Sequence, residues 1–79
     1  MELLTLYVRR DCSLCEVALG ILRAARAARD FELEVVDIEG DERLEAAYFV
    51  RIPVLVHDGR VIAEGIFDAD VVLAEIVNL

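Results

Sequence analysis

The chain has 79 residues, of which 16 are acidic and eight are basic, and its formal net charge at pH 7 is −8. Such a balance argues against nucleic acid as a partner, because nucleic-acid binding depends on clustered positive charge. Hydrophobic residues make up 58% of the chain, which is typical of a folded protein. We expect a single domain over residues 1–79, since a chain of this length supports only one core.

No segment of the sequence predicts a membrane span or a secretory signal. A spanning helix needs about 20 consecutive apolar residues, whereas the longest charge-free runs here have six residues. The N-terminal residues include no basic group and no small-residue cleavage site. We therefore expect a cytoplasmic monomer that binds no membrane.

The first two predicted elements are a buried strand and an amphipathic helix. Leu3–Val8 is apolar at both alternating sets of positions, which predicts a strand that is covered on both faces and central in its sheet. Over Ser13–Ala28, apolar residues recur at helical spacing and predict the longest helix. Arg23, Arg26 and Arg29 lie off this apolar stripe, and we interpret them as a solvated helix face.

The next segment predicts a second strand and a short helix. Phe31–Val35 alternates strictly between apolar and acidic residues, which predicts a half-exposed strand at a sheet edge. A strand, a helix and a strand form a right-handed βαβ unit in nearly all proteins, so the first two strands should be parallel. A short helix containing Leu44 and Tyr48 follows, with Asp41 as its N-cap.

A hairpin and a final helix complete the predicted fold. Val54–Val56 is a strand that follows Pro53, and Asp58-Gly59 predicts a tight turn into the return strand Val61–Ala63. Asp68 is the predicted N-cap of the last helix. The inner face of that helix carries three apolar residues, Val72, Ile76 and Leu79. The element order is β-α-β-α-β-β-α, which indicates an α/β fold.

The two cysteines of the chain, Cys12 and Cys15, lie at the predicted start of the first helix. At this spacing their Cβ atoms are about 5–6 Å apart, so a small adjustment brings them within disulfide range. In a reducing compartment such a pair indicates redox or metal chemistry more than a structural crosslink. The helix N-terminus and the neighbouring Arg9 and Arg10 favour a thiolate at Cys12, whereas Asp11 opposes it unless it caps the helix.

Cys15, one turn further along the helix, should be less exposed and should act as the resolving thiol on a mixed disulfide at Cys12. Three alternatives remain for the pair. The thiols could be inert and buried. The pair could bind zinc within one chain, but zinc normally takes four ligands, and this chain offers only two thiols and the distant His57. A metal or iron-sulfur cluster could instead be shared between two chains. We expect no metal or other cofactor bound to a single chain.

The sequence resembles the thioredoxin superfamily, and most closely the short glutaredoxin-like proteins. The resemblance depends on the Cys-x-x-Cys motif at Cys12 and Cys15, on Ile52-Pro53 before the third strand, and on the Asp58-Gly59 hairpin. It implies a four-stranded mixed sheet with the order 2-1-3-4, flanked by helices. It also implies that Pro53 is a cis-proline facing the redox pair, with Cys12 as nucleophile and Cys15 as resolving thiol.

The resemblance also implies where a substrate binds. Because Pro53 has no N–H, the backbone of Ile52 can hydrogen-bond an extended substrate segment beside the disulfide. Glutaredoxins usually hold glutathione with two adjacent glycines and an acidic residue after the hairpin. This chain matches that pattern only at Gly65 and Asp68.

Three arginines are expected to converge around Cys12 in this fold. Arg9 and Arg10 precede the nucleophile, and Arg51 precedes the facing proline loop. A cationic patch of this kind would bind the carboxylates of an anion such as glutathione. Glutathione is therefore the candidate reductant, bound weakly because the glycine pattern is incomplete.

Together these observations predict a thiol–disulfide oxidoreductase that acts on a disulfide-containing protein or on a glutathione mixed disulfide. The competing class is a protein without catalytic activity. It would be either a thioredoxin-fold binding module or a dimer that carries a metal or iron-sulfur cluster.

Overall fold

Four strands and three helices make up the fold, and the computed structural model describes residues 1–79. The elements in chain order are β1 (Leu3–Val8), α1 (Ser13–Ala25), β2 (Glu32–Asp37), α2 (Glu42–Tyr48), β3 (Val54–His57), β4 (Arg60–Glu64) and α3 (Ala69–Val77). One sheet has the order β2-β1-β3-β4, with β1 parallel to β2 and the other pairs antiparallel. The predicted α/β fold and its 2-1-3-4 mixed sheet are confirmed. None of the helices has the length and apolar character needed to cross a membrane.

Strand β1 lies at the centre of the sheet, as predicted, because it pairs with β2 on one side and β3 on the other. Its Leu4 and Leu6 are fully buried, whereas Leu3 on the opposite face is exposed. The prediction that both faces are covered is therefore wrong at Leu3, whereas Thr5 and Tyr7 on that face are half-buried. The opposite face meets only the short helix α2, whose Tyr48 stacks on Tyr7 with ring centroids 4.6 Å apart.

Helices α1 and α3 pack against the other face of the sheet and form the core with it. Helix α1 contributes Ala18 and Leu22, and α3 contributes Val72 and Ile76, all of which are almost completely inaccessible to solvent. Apolar burial of this kind is the main favourable term in folding. The core therefore fixes α1, and with it the cysteine pair at its N-terminus, relative to β1.

Helix α1 ends at Ala25, three residues before the predicted end at Ala28. The chain turns there and brings Phe31 into the core. Arg29, predicted to lie on a solvated face, is instead half-buried and donates hydrogen bonds to the carbonyls of Ile76 at 2.9 Å and Leu79 at 2.8 Å. The Ile76 carbonyl also accepts from the N–H of Leu79 at 3.2 Å, so Arg29 adds a second donor there and ties the residues after α3 to the turn after α1.

The positions of β2, α2 and α3 agree with the features of the sequence that predicted them. Strand β2 lies at the sheet edge, as predicted, but extends to Asp37 because it pairs with β1 along all six residues of that strand. Asp41 caps α2 by accepting from the N–H groups of Arg43 and Leu44. Asp68 caps α3 in the same way through its Oδ1 atom. Both caps are as predicted.

The hairpin between β3 and β4 contains the two positive φ angles that a tight turn of type I′ requires. They are 49° at Asp58 and 75° at Gly59. Next to the turn, Nε2 of His57 lies 2.8 Å from Oε2 of Glu2. This hydrogen bond lowers the pKa of Glu2 and connects the N-terminus to β3.

The burial of Leu22 in the core predicts that its truncation lowers the free energy of unfolding more than truncation of the exposed Leu73 does. Leu22→Ala should lower the free energy of unfolding by about 2–5 kcal/mol, because a fully buried leucine leaves a cavity. Leu73→Ala on the partly exposed surface of α3 is the matched control and should cost much less. Urea unfolding of both variants measures the difference, and equal losses would contradict the assignment.

Candidate active site

The site lies where β1 ends and α1 begins. Asp11 adopts a left-handed backbone with φ of 52°, and Cys12 follows in an extended conformation as the N-cap of α1. The Sγ atom of Cys12 accepts a hydrogen bond from the N–H of Cys15 at 3.1 Å. Sulfur therefore takes the capping position, and Asp11, which sequence analysis left open as a cap, lies in the turn one residue before it.

The two cysteines are joined in a disulfide, with Cα atoms 5.2 Å apart. This separation is within the usual range for a disulfide, so the bond forms between adjacent positions of one helical turn. Cys15 is only 4% exposed, whereas Cys12 is half-buried and borders an open groove. The sulfur of Cys12 is therefore the one that a second molecule can reach.

The groove beside Cys12 has a volume of about 280 Å³ and contains residues from three segments of the chain. The first segment is the turn into α1, the second is the start of α1 itself, and the third is the loop between α2 and β3. The lining residues are Arg9, Asp11, Cys12, Ser13, Leu14, Phe49, Val50 and Ile52. The fold thus brings Ile52 and Cys12 to one groove, as expected.

At Ile52, the predicted docking residue in the loop before β3, the backbone carbonyl is open to a substrate but the N–H is not. The Ile52–Pro53 peptide bond is cis, and Pro53 is buried. The N–H of Ile52 donates to the carbonyl of Tyr48 at 3.1 Å, while the carbonyl of Ile52 accepts no backbone hydrogen bond. The expectation that the backbone of Ile52 is free to pair with a substrate holds only for its acceptor.

The structure does not bring all three predicted arginines to the groove. Of the three arginines, only Arg9 lines the groove, with its guanidinium 5.0 Å from the ring centroid of Phe49. Arg51 is instead paired with Glu64, with Nη2 and Oε2 2.6 Å apart. This hydrogen bond raises the pKa of Arg51 and lowers that of Glu64. Arg10 is exposed outside the groove.

The two residues predicted to hold glutathione after the hairpin have other bonds. The N–H of Gly65 donates to the carbonyls of Arg51 at 3.1 Å and Pro53 at 2.9 Å. Its φ of 72° favours glycine at this position. Asp68 caps α3, and neither residue lines the groove. These bonds account for a glycine at position 65 and an aspartate at position 68 without a role in binding glutathione.

Sequence analysis missed the apolar rim of the groove. Leu14, Phe49 and Val50 are 41%, 55% and 88% exposed. Leu14 is one of the apolar residues that recur at helical spacing over α1, so it was not distinguished from the core residues of that helix. Phe49 and Val50 follow the end of α2 and belong to no predicted element, and two large apolar residues in a short loop were the signal available.

Outside the cysteine pair, the structure contains no group of three or more His, Cys, Asp or Glu side chains that could hold a metal ion. The cysteine pair itself consists of two adjacent sulfurs, one beside the groove and one covered.

Comparison with known proteins gives consistent matches. Residues 3–77 match the family described as glutaredoxin-like domain (DUF836). The X-ray structure of the structural-genomics target XcR50 from X. campestris is 42% identical, with a TM-score of 0.80, covering 96% of this chain and 97% of that one. The solution structure of Ne2328 from Nitrosomonas europaea is 36% identical, with a TM-score of 0.81, covering 94% and 89%. No curated protein sequence matches.

A more distant match extends the similarity of fold. Thioredoxin 1 from Thermosipho africanus is 18% identical to this chain, with a TM-score of 0.67, and the match covers 96% of this chain and 91% of that one. At this identity the match shows a shared thioredoxin fold.

The capping geometry predicts an acidic thiol at Cys12. In the reduced protein, the Cys15 N–H and the helix N-terminus should stabilise a thiolate and lower the pKa of Cys12 below the ordinary value of about 8.5. The rate of alkylation against pH should therefore show an inflection below that value. An inflection at or above it would show that the capping hydrogen bond does not act on the thiol.

The Arg51–Glu64 pair predicts a pH-dependent contribution to stability. The hydrogen bond from Arg51 lowers the pKa of Glu64 below 4.5 in the folded state, so the contribution should be present above about pH 4.5 and lost as pH falls through the folded pKa. The difference in unfolding free energy between the natural chain and Glu64→Gln should shrink over that range. Glu32→Gln, on the exposed edge strand, is the control, and a similar trend there would contradict the assignment.

Proposed function

The chain belongs to the glutaredoxin-like domain family, and from this premise we propose that it is a thiol–disulfide oxidoreductase that uses Cys12 and Cys15. The observation that carries the proposal is the unequal placement of two adjacent sulfurs. Cys12 borders a groove and caps a helix, while Cys15 lies behind it and is almost fully buried. An attacking thiol must be accessible, and a resolving thiol need only reach its neighbour.

The first step of the proposed reaction is attack by the Cys12 thiolate on one sulfur of a substrate disulfide. A bond forms between Cys12 and that sulfur, the substrate disulfide breaks, and the other half leaves as a thiolate that takes up a proton. The capping N–H of Cys15 at 3.1 Å favours the thiolate form of Cys12 at neutral pH.

In the second step, the Cys15 thiolate attacks the sulfur of Cys12. The Cys12–Cys15 disulfide forms and the second substrate thiol is released, so the substrate gains two electrons and the pair loses two. The Cα separation of 5.2 Å keeps Cys15 within reach of Cys12. Closure therefore requires no rearrangement of the helix.

Regeneration of the dithiol needs an external thiol reductant. We propose a reducing compartment such as the cytoplasm, where glutathione or another small thiol is available. Two equivalents of a monothiol reduce the Cys12–Cys15 disulfide and leave as their own disulfide. The open carbonyl of Ile52, next to Pro53, is the backbone acceptor for a substrate segment during the first step.

Single substitutions test the two roles. Cys12→Ser should abolish reduction of a small uncharged substrate, hydroxyethyl disulfide, because no accessible nucleophile remains. Cys15→Ser should instead accumulate a mixed disulfide on Cys12, since the intermediate has no internal thiol to resolve it. Intact-mass measurement of each variant after exposure to the substrate shows which species forms.

The reverse pattern, with Cys12→Ser active and Cys15→Ser inactive, would contradict the assignment of roles. Absence of turnover by the natural chain, together with co-purifying iron, would favour a cluster carrier. Absence of both turnover and metal would favour a thioredoxin-fold binding module.

A further inference from the structure

We infer that the groove beside Cys12 selects disulfides in apolar, uncharged segments of proteins and discriminates against glutathione. The inference rests on the proposed function, since it names the substrate class of the same site. It replaces the expectation of an anionic substrate, which depended on three arginines around Cys12, of which only Arg9 lines the groove.

The first argument is the exposed apolar rim. Phe49 and Val50 are 55% and 88% exposed and line the groove together with Leu14. Three large apolar side chains beside one reactive sulfur form a contact surface that water solvates poorly, and contiguous patches of this kind mark binding sites. An apolar side chain next to a substrate half-cystine would cover them while Cys12 attacks.

The second argument is the charge of the groove. Its lining contains one cation, Arg9, and one anion, Asp11, whose charges cancel, and the attacking Cys12 thiolate adds one negative charge. The guanidinium of Arg9 already lies over the ring of Phe49. Glutathione has a carboxylate at each end and an ammonium group, and these charges need partners to compensate for lost hydration. An uncharged segment has no such requirement.

The third argument is that the donors of the loop around Pro53 are occupied. The charge of Arg51 is compensated by Glu64, and the N–H groups of Ile52 and Gly65 donate to backbone carbonyls. Neither N–H is free to receive a carboxylate. The open backbone group at Ile52 is its carbonyl, an acceptor suited to the N–H of an extended peptide.

The test compares disulfides that differ only beside the reacting sulfur. Two peptides of equal length and zero net charge each contain one cysteine as a mixed disulfide with 2-mercaptoethanol, flanked by leucines in one and by serines in the other. The reduced protein should react with the leucine peptide about tenfold faster or more, the factor expected from burial of one aliphatic side chain. Glutathione disulfide should react more slowly than the leucine peptide.

A matched pair of variants assigns the preference to the groove. Val50→Ser should reduce the ratio of the leucine to the serine rate to nearly one, because the substitution removes an apolar contact. Val71→Ser changes a valine that is 57% exposed on α3, away from the groove lining, and should preserve the ratio.

Hydroxyethyl disulfide, which contains no charge and no peptide, distinguishes failure of the substrate preference from failure of the oxidoreductase function. Equal rates for the two peptides, or a faster rate for glutathione disulfide, would overturn the inference, while turnover of hydroxyethyl disulfide would leave the proposed function standing. A ratio unchanged by Val50→Ser would also overturn it. Failure to reduce any of these disulfides would contradict the oxidoreductase function itself, and the inference with it.

Discussion

The hydrogen bond from the N–H of Cys15 to the sulfur of Cys12 is the contact on which the site depends. It places sulfur where helices usually carry a serine, threonine or aspartate oxygen, so the same atom caps α1 and faces the groove. The N-terminus of α1 is fixed relative to the sheet, because Ala18 and Leu22 of α1 are buried with Leu4 and Leu6 of the central strand. The buried core of α1 and β1 thus fixes the position of the sulfur that we propose as the nucleophile.

The loop around Pro53 is already satisfied internally. Glu64 binds Arg51, and backbone carbonyls accept from the N–H groups of Ile52 and Gly65. These bonds keep the loop in place and leave neither N–H free for a charged ligand. The inference that recognition depends on apolar contact with the rim around Val50 follows from this arrangement.

Features with local signals could be predicted from the sequence. The caps at Asp41 and Asp68 and the turn at Asp58-Gly59 depend on a few neighbouring residues, and the resemblance to glutaredoxin-like proteins supplied the sheet order. The pairing of Arg51 with Glu64 depends on how β4 aligns with β3, where Glu64 lies opposite Val54. Such contacts between distant residues have no local signature, so Glu64 was not predicted as the partner of Arg51.

The central claim is that the Cys12–Cys15 disulfide opens and closes within an unchanged fold. Equilibration of the protein with dithiol buffers of graded potential, followed by amide NMR spectra and by the fraction of free thiol, measures this most directly. The account predicts one reversible two-electron transition, with spectral changes confined to the turn into α1 and the loop around Pro53. Loss of the folded spectrum on reduction, or failure of the two cysteines to re-form their disulfide, would contradict it.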